Sequence, residues 1–518
     1  MADKKRTMFV NTQQILSPPL STQSTIAVEK DRYHVLSHRE KYPLVLLVSL
    51  AATFSPLASN IYFPALNQIS NDLNASHQAV SITITTYMIA QGLAPSFWGP
   101  MADCLGRRQI LLYTILLFLI SNIGLALSPN VTMLIVFRFL QAAGSSSTIS
   151  IGAGVIADIA PASERGGFIG LFAGMRQFSM AIGPVIGGIL AGTLGFRFIF
   201  WLLTLLGGLT LIGLFVFLPE TLRTLAGDGS RPLKGWQYNP LVGVLAPWTK
   251  PAALDNDNGD RPPKEKLRAN LFFQPMLFLL ERDVACTLFF GAVIYTVFSM
   301  VSASTSFLLA REYGLSTVQI GLCFLPNGLG CVIGSTLSGK QLDKDFRLAE
   351  DAYKYATGLP RHVKLPKGNQ PDDFPLESTR LAQLPIMTAA FCFSVVIYGF
   401  SISSGASLVV PLMAQFVIGY SSTAVLNLNN TLTVDLYPGK SAAATAVNNL
   451  ARCLIGAVGV SFTDLALENL KTEWLFLILA GAVVAASPMA WAEGKYGMKW
   501  RSQRRQRMRQ KEESSQKV

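Results

Sequence analysis

Long apolar runs separated by short polar breaks set the plan of this chain. Runs lie near 43–66, 78–98, 109–127, 131–155, 167–192 and 197–218, and again near 284–310, 316–338, 381–402, 406–430, 442–466 and 473–493. Each has about the ~20 residues a helix needs to cross a bilayer. The pattern predicts twelve transmembrane helices, six on each side of a polar segment, 219–283. That segment is linker-like at its centre (Asp255-Asn256-Asp257-Asn258-Gly259-Asp260) and ends in an apolar stretch, 271–280, too short to span and suited to the interface. The expected division is a disordered cytosolic tail, 1–42; an N-terminal six-helix bundle, 43–218; a cytosolic linker, 219–283; a C-terminal six-helix bundle, 284–494; and a basic cytosolic tail, 495–518. Residues 1–42 contain no apolar h-region, so no cleavable signal peptide is expected.

Charge placement gives the orientation. With both termini cytosolic, the tails and inner segments hold 37 of the 43 Lys and Arg residues, whereas the outer loops hold only Arg197, Arg311 and Lys471. This is the positive-inside asymmetry. Only 14% of residues are charged and the mean hydropathy is +0.38, which excludes an ordinary soluble domain. The net charge of +12 is therefore topogenic, and no nucleic-acid partner is expected. The basic 495–518 tail is expected to lie against the anionic inner leaflet. The six cysteines form no C-x-x-C and the four histidines no metal-ligand spacing, so neither disulfides nor a metal site are expected.

Two charged stretches repeat. Gly99, Asp103 and Arg107, with Gly106 and Arg108 beside them, follow the second run. Gly339, Asp343 and Arg347 follow the eighth at a constant offset of 240. Each reads as a tight cytosolic turn, with Asp103 placed to accept from a helix N-terminus. With Asp158, Glu164 and Arg165 at the next inner turn, the first set is expected to form a charge lock on the inner face. In the fifth run Gly183, Gly187 and Gly188 allow close helix approach, and Pro184 removes a backbone hydrogen bond.

Six plus six spans, the Gly99–Arg108 stretch, the segment from Leu134 to Gly144 containing Arg138 and Gln141, and the segment from Gly170 to Gly188 resemble the major facilitator superfamily. The 60–66 and 87–92 stretches are similar to its fungal twelve-span drug:proton antiporter branch, which includes quinidine-resistance and polyamine exporters. The sequence departs from the motifs at Cys104 and Ser179. The resemblance implies an all-α integral membrane protein of two pseudo-symmetric six-helix bundles, a secondary transporter and not an enzyme. It also implies alternating access, a proton gradient as energy source with no cofactor, and a monomer in the cell membrane.

The charges inside the spans point to the cargo. Arg138, Arg176 and Arg452 lie within apolar runs, while no Asp or Glu lies mid-span. Buried charge in a membrane is costly and marks function. Arg176 and Arg452 sit at matching depths in repeat-related spans, so they are expected to face one central cavity with Asn448, Asn449 and Gln177 as polar neighbours. Such a cavity favours anionic or neutral small molecules: a drug, a secondary metabolite or an organic acid. Export is the expected direction. An uptake permease and a non-transporting receptor remain alternatives.

Overall fold

The computed structural model describes residues 34–227, 281–358, 360, 371–437 and 441–516. The expected N-terminal tail and the central linker lie largely outside these. Twelve long helices form the frame. The first six are α1 (His38–Asn60), α2 (His77–Leu105), α3 (Arg107–Ala126), α4 (Val131–Ile159), α5 (Ala162–Leu194) and α6 (Arg197–Phe217). The second six are α7 (Arg282–Tyr313), α8 (Leu325–Thr357), α9 (Leu384–Ser403), α10 (Val409–Leu436), α11 (Ser441–Asn469) and α12 (Thr472–Gln516).

Local chemistry sets their ends. Ser76 Oγ accepts from the Ala79 N–H to cap α2, and Asn130 Oδ1 accepts from the Met133 N–H to cap α4. Among the described residues, eleven helical segments are long and apolar enough to cross a membrane, and α2 is the long helix that falls short. Three of its polar side chains are buried and bonded inside: Thr83 to the Tyr62 hydroxyl (3.0 Å), Tyr87 to the Ser55 carbonyl (2.9 Å), Gln91 to Ser55 Oγ (3.2 Å). Lipid meets apolar stripes instead, such as Leu205, Leu209 and Ile212 on α6, which recur at helical spacing and are all exposed.

The two halves pack by the same rules. The pair α2–α4 has its counterpart in α8–α10, α3–α6 in α9–α12, and α1–α5 in α7–α11. Between the halves α2 packs on α11 and α5 on α8, again a related pair. This pseudo-two-fold arrangement places Arg176 on α5 and Arg452 on α11, helices that are symmetry mates.

The halves meet toward the outer end, the end away from the Lys/Arg-rich segments. There Asn67 donates to the Ser306 carbonyl (3.0 Å), Ser306 to the Phe63 carbonyl (2.7 Å), and Ser81 to Asp464. Phe63 stacks on Phe324 and His77 meets Phe307 edge-on. Gly188 of α5 lies so close to Gly321 that a Cβ on it would sit 2.7 Å from the Gly321 Cα. Toward the inner end they part. Gly92 faces Cys453 on α11, but around Gly99, two turns further along α2, a Cβ would meet nothing within 4 Å, and Gly339 of α8 is equally open. The halves are thus in contact at one end and apart at the end that carries the Lys/Arg-rich segments.

Three expectations are corrected. The turn after α2 is a single residue, Gly106, at φ 118°, so Gly99 through Leu105 are helical. No turn follows at Gly339–Arg347, because α8 continues to Thr357 and leaves Asp343 and Arg347 exposed on its surface. Finally, α12 runs on past the expected boundary at 494 to Gln516. Arg501 and Arg504 on that extension are buried in the protein and so do not face a lipid leaflet.

Candidate functional site

The site is assembled around Arg176 of α5 and Arg452 of α11, which lie on helices that are symmetry mates. Arg452 is held. Its Nε and Nη2 donate to Asn449 Oδ1 at 3.2 and 2.9 Å, and its guanidinium lies 5.0 Å from the Tyr295 ring centroid. Asn449 in turn donates to the Gln91 carbonyl of α2 at 2.8 Å, bridging the halves. Arg176 differs. Its buried Nε has no hydrogen-bond partner among the described residues, and its guanidinium stands 6.0 Å from the Phe172 ring. Asn448 bonds Asn430 at 3.3 Å rather than either arginine. Gln177, next to Arg176 along α5, is half-buried and is not brought to it by any hydrogen bond. No carboxylate pairs with either arginine among the described residues, so positive charge is left uncompensated between the bundles.

Arg138 does not join them. It is buried within the N-terminal half, sandwiched between the Tyr62 and Tyr87 rings at 4.2 Å from each centroid. Its Nη1 donates to the Ala58 carbonyl (3.1 Å) and to Gln141 Oε1 (2.7 Å), and Gln141 continues to Asn122 (2.7 Å). Two tyrosine faces and two acceptors satisfy the charge from inside the bundle.

The inner-end charges form pairs within one half each. Arg107 reaches Asp103 (2.6 Å) and Asp158 (3.2 Å). The backbone N–H groups of Arg107 and Arg108, the start of α3, donate to Glu220 rather than to Asp103, at 2.9 and 3.2 Å. Burial pushes the Glu220 carboxyl up, opposed by N–H donors from Leu222, Arg107, Arg108 and Thr221. Gly106 is required for this arrangement, since a Cβ there would also lie 2.5 Å from the Glu220 carboxylate. Glu164 pairs with Lys41 of α1 (3.1 Å), and Arg165 donates to the Ala157 and Ala160 carbonyls (3.1 and 3.2 Å). Gly183 and Gly187 face α1 near Ile61, and α5 runs unbroken through Pro184.

In the C-terminal half the counterpart of Arg107–Asp158 is Arg380–Asp435, at 2.8 Å, and not the Asp343 and Arg347 that the repeat of letters indicated. Sequence reasoning missed this pair and Glu220. The available signals were an Arg just before the ninth span, an Asp at the inner end of the tenth, and the Pro219-Glu220-Thr221 stretch after the sixth.

Two six-helix halves related by a pseudo-two-fold, closed at one end around a charged centre, define an alternating-access membrane transporter. A model of the Major Facilitator Superfamily matches residues 48–460, and the chain belongs to that superfamily; it is a multi-pass secondary transporter and not an enzyme. It is 45% identical over 498 residues to citrate exporter 1 of Aspergillus niger, covering 96% of this chain and 93% of that one. It is 30% identical over 471 residues to quinidine resistance protein 1 of Saccharomyces cerevisiae, covering 88% and 83%, in keeping with the fungal efflux branch. The xylose transporter XylE of E. coli, in a partially occluded inward-open conformation, matches with a TM-score of 0.59 at 15% identity, over 87% of this chain and 97% of that one, which shows the shared fold.

Proposed function

We propose that this protein exports a small organic acid, a di- or tricarboxylate, across the plasma membrane. Both termini are cytosolic in this reading, and export is driven by the proton gradient. The observation that carries the reading is Arg176 and Arg452: two guanidiniums between the bundles, one of them with an unpartnered Nε and neither with a balancing carboxylate among the described residues. A bound carboxylate supplies the missing charge and takes parallel N–H···O bonds that suit a guanidinium. The 45% identity to a citrate exporter over nearly the whole chain supports the same cargo class. A lipophilic cation, the alternative raised by the quinidine-resistance relative, finds no anionic partner beside these arginines.

The test is counterflow in proteoliposomes of the purified full-length protein. Labelled citrate should accumulate against unlabelled internal citrate and be displaced by other di- and tricarboxylates. A neutral sugar and quinidine should compete poorly. Counterflow of quinidine without counterflow of any carboxylate would reverse the assignment. A bound carboxylate without counterflow would point to a receptor.

A further inference from the structure

The inner end of the C-terminal half holds a buried charge cluster that the cargo site does not use. Glu493 of α12 is fully buried, and neither of its carboxyl oxygens has a hydrogen-bond partner among the described residues. Glu377, on the short helix Leu376–Arg380, comes up against the same spot. A Cβ on Gly497 would lie 2.7 Å from Glu377 Cγ and 2.9 Å from Glu493 Oε1. Asp283, at the start of α7, is also buried. The balancing cations come from the inner extension of α12. Arg504 pairs with Asp283 (2.6 Å), donates to the Leu436 carbonyl (3.0 Å) and lies over the Tyr437 ring. Arg501 pairs with Glu377 (3.3 Å) and donates to the Asp372 carbonyl (3.3 Å) and the Phe374 carbonyl (2.5 Å). Arg505 pairs separately with Asp372 (2.6 Å), and Arg380 with Asp435. Cys286, three residues after Asp283 on α7, is half-buried. Three carboxyls thus share two guanidiniums, and the one left over is Glu493.

The opposite half shows what a site for an ionised carboxylate looks like. Glu220 occupies the related place, at the inner end of the last helix of its half and against the entry to the third. It accepts N–H bonds from Arg107, Arg108, Thr221 and Leu222. Glu493 is met by carboxyl neighbours instead. A buried carboxylate without donors is unstable unless it is neutral.

We propose that Glu493 is a buried proton-binding site at the inner end of its half, and that its proton holds the inner extension of α12 docked on the 371–380 segment and the start of α7. On release the O–H bond breaks, the electron pair stays on the carboxylate and water takes the proton. A third negative charge then faces two cations in a dry pocket, and the extension loosens. The device senses pH on the inner side whatever the cargo is.

The test is an infrared titration of the full-length protein and its Glu493→Gln variant, paired with maleimide labelling of Ser502→Cys on the extension. Labelling rates are normalised to the exposed control Gln506→Cys. The wild-type-minus-variant spectrum at neutral pH should contain the carbonyl band of a protonated acid, fading as pH rises. Normalised labelling at 502 should increase several-fold over the same range in the wild-type background and stay flat with Glu493→Gln. Glutamine mimics the protonated acid, so the variant should fold with an unchanged melting temperature. Absence of the band, a labelling step that survives Glu493→Gln, or a variant that fails to fold would each overturn the proposal.

Discussion

Asn449 ties Gln91 to Arg452: its amide donates to the Gln91 carbonyl at 2.8 Å while its oxygen takes two N–H bonds from Arg452. One side chain thus orients the Arg452 guanidinium and joins the two halves. Asn449→Asp keeps the shape but supplies Arg452 with an internal carboxylate. Charge-assisted hydrogen bonds are worth about 1.5–3 kcal/mol, so acid flux should fall by about tenfold or more. Flux of a neutral test compound, where one is carried, should change much less. Equal loss of both would make Asn449 a packing residue only.

Gly188 touches Gly321 across the halves, so closure of the outer end depends on the missing side chain. Gly188→Leu should hold the outer end apart. Cysteines placed at the outer end, such as Asn67→Cys, should then label faster from outside, and turnover should fall while membrane insertion is unchanged. Overpacking at such a contact costs about 1–3 kcal/mol, enough to shift a two-state balance by about tenfold or more. Wild-type labelling would mean that this contact does not govern the outer closure.

The inner-end pairs predict an order among aspartates. Asp158 and Asp435 each hold an arginine, Arg107 and Arg380, whereas Asp343 is exposed. Asp158→Asn and Asp435→Asn should each slow transport several-fold, Asp103→Asn less because Arg107 keeps Asp158, and Asp343→Asn hardly at all. Initial-rate flux at equal surface expression gives the order. A strong defect in Asp343→Asn alone would restore the turn-like role that its spacing implied.

Arg138 is enclosed by two tyrosine rings and two acceptors. Removing it leaves Gln141 and the Ala58 carbonyl without their donor. Arg138→Ala should destabilise the protein by about 3–5 kcal/mol, as breaking one partner of a buried charged network does. Melting curves should drop, and acidic and neutral cargo should lose flux in the same proportion. Selective loss of acid flux at unchanged melting temperature would place Arg138 in the cargo path.

The spans were legible because bilayer thickness sets a local, composition-level signal. That Arg176 and Arg452 fall on symmetry-mate helices was legible too, because both lie deep in apolar runs, where an arginine is conspicuous. What was hidden depends on tertiary approach. The spacing that matched Asp343 to Asp103 compared letters, whereas α8 continues past its repeat mate's end and moves the working pair to Arg380 and Asp435. The basic tail read as a lipid anchor because its acidic partners, Asp283, Glu377 and Asp372, lie 124 to 221 residues earlier in the sequence. Arg138 looked like a cavity residue because its neutralising tyrosines come from other segments.

The central claim is that Arg176 and Arg452 together bind an anionic cargo. Its most direct measurement is the initial rate of citrate transport in Arg176→Lys and Arg452→Lys, beside a neutral compound in the same vesicles. Lysine keeps the charge but loses the two-pronged geometry. Citrate flux should fall by about tenfold or more in each variant, while the neutral compound is little affected. Unchanged citrate flux in both variants, or equal loss of the two compounds, would contradict it.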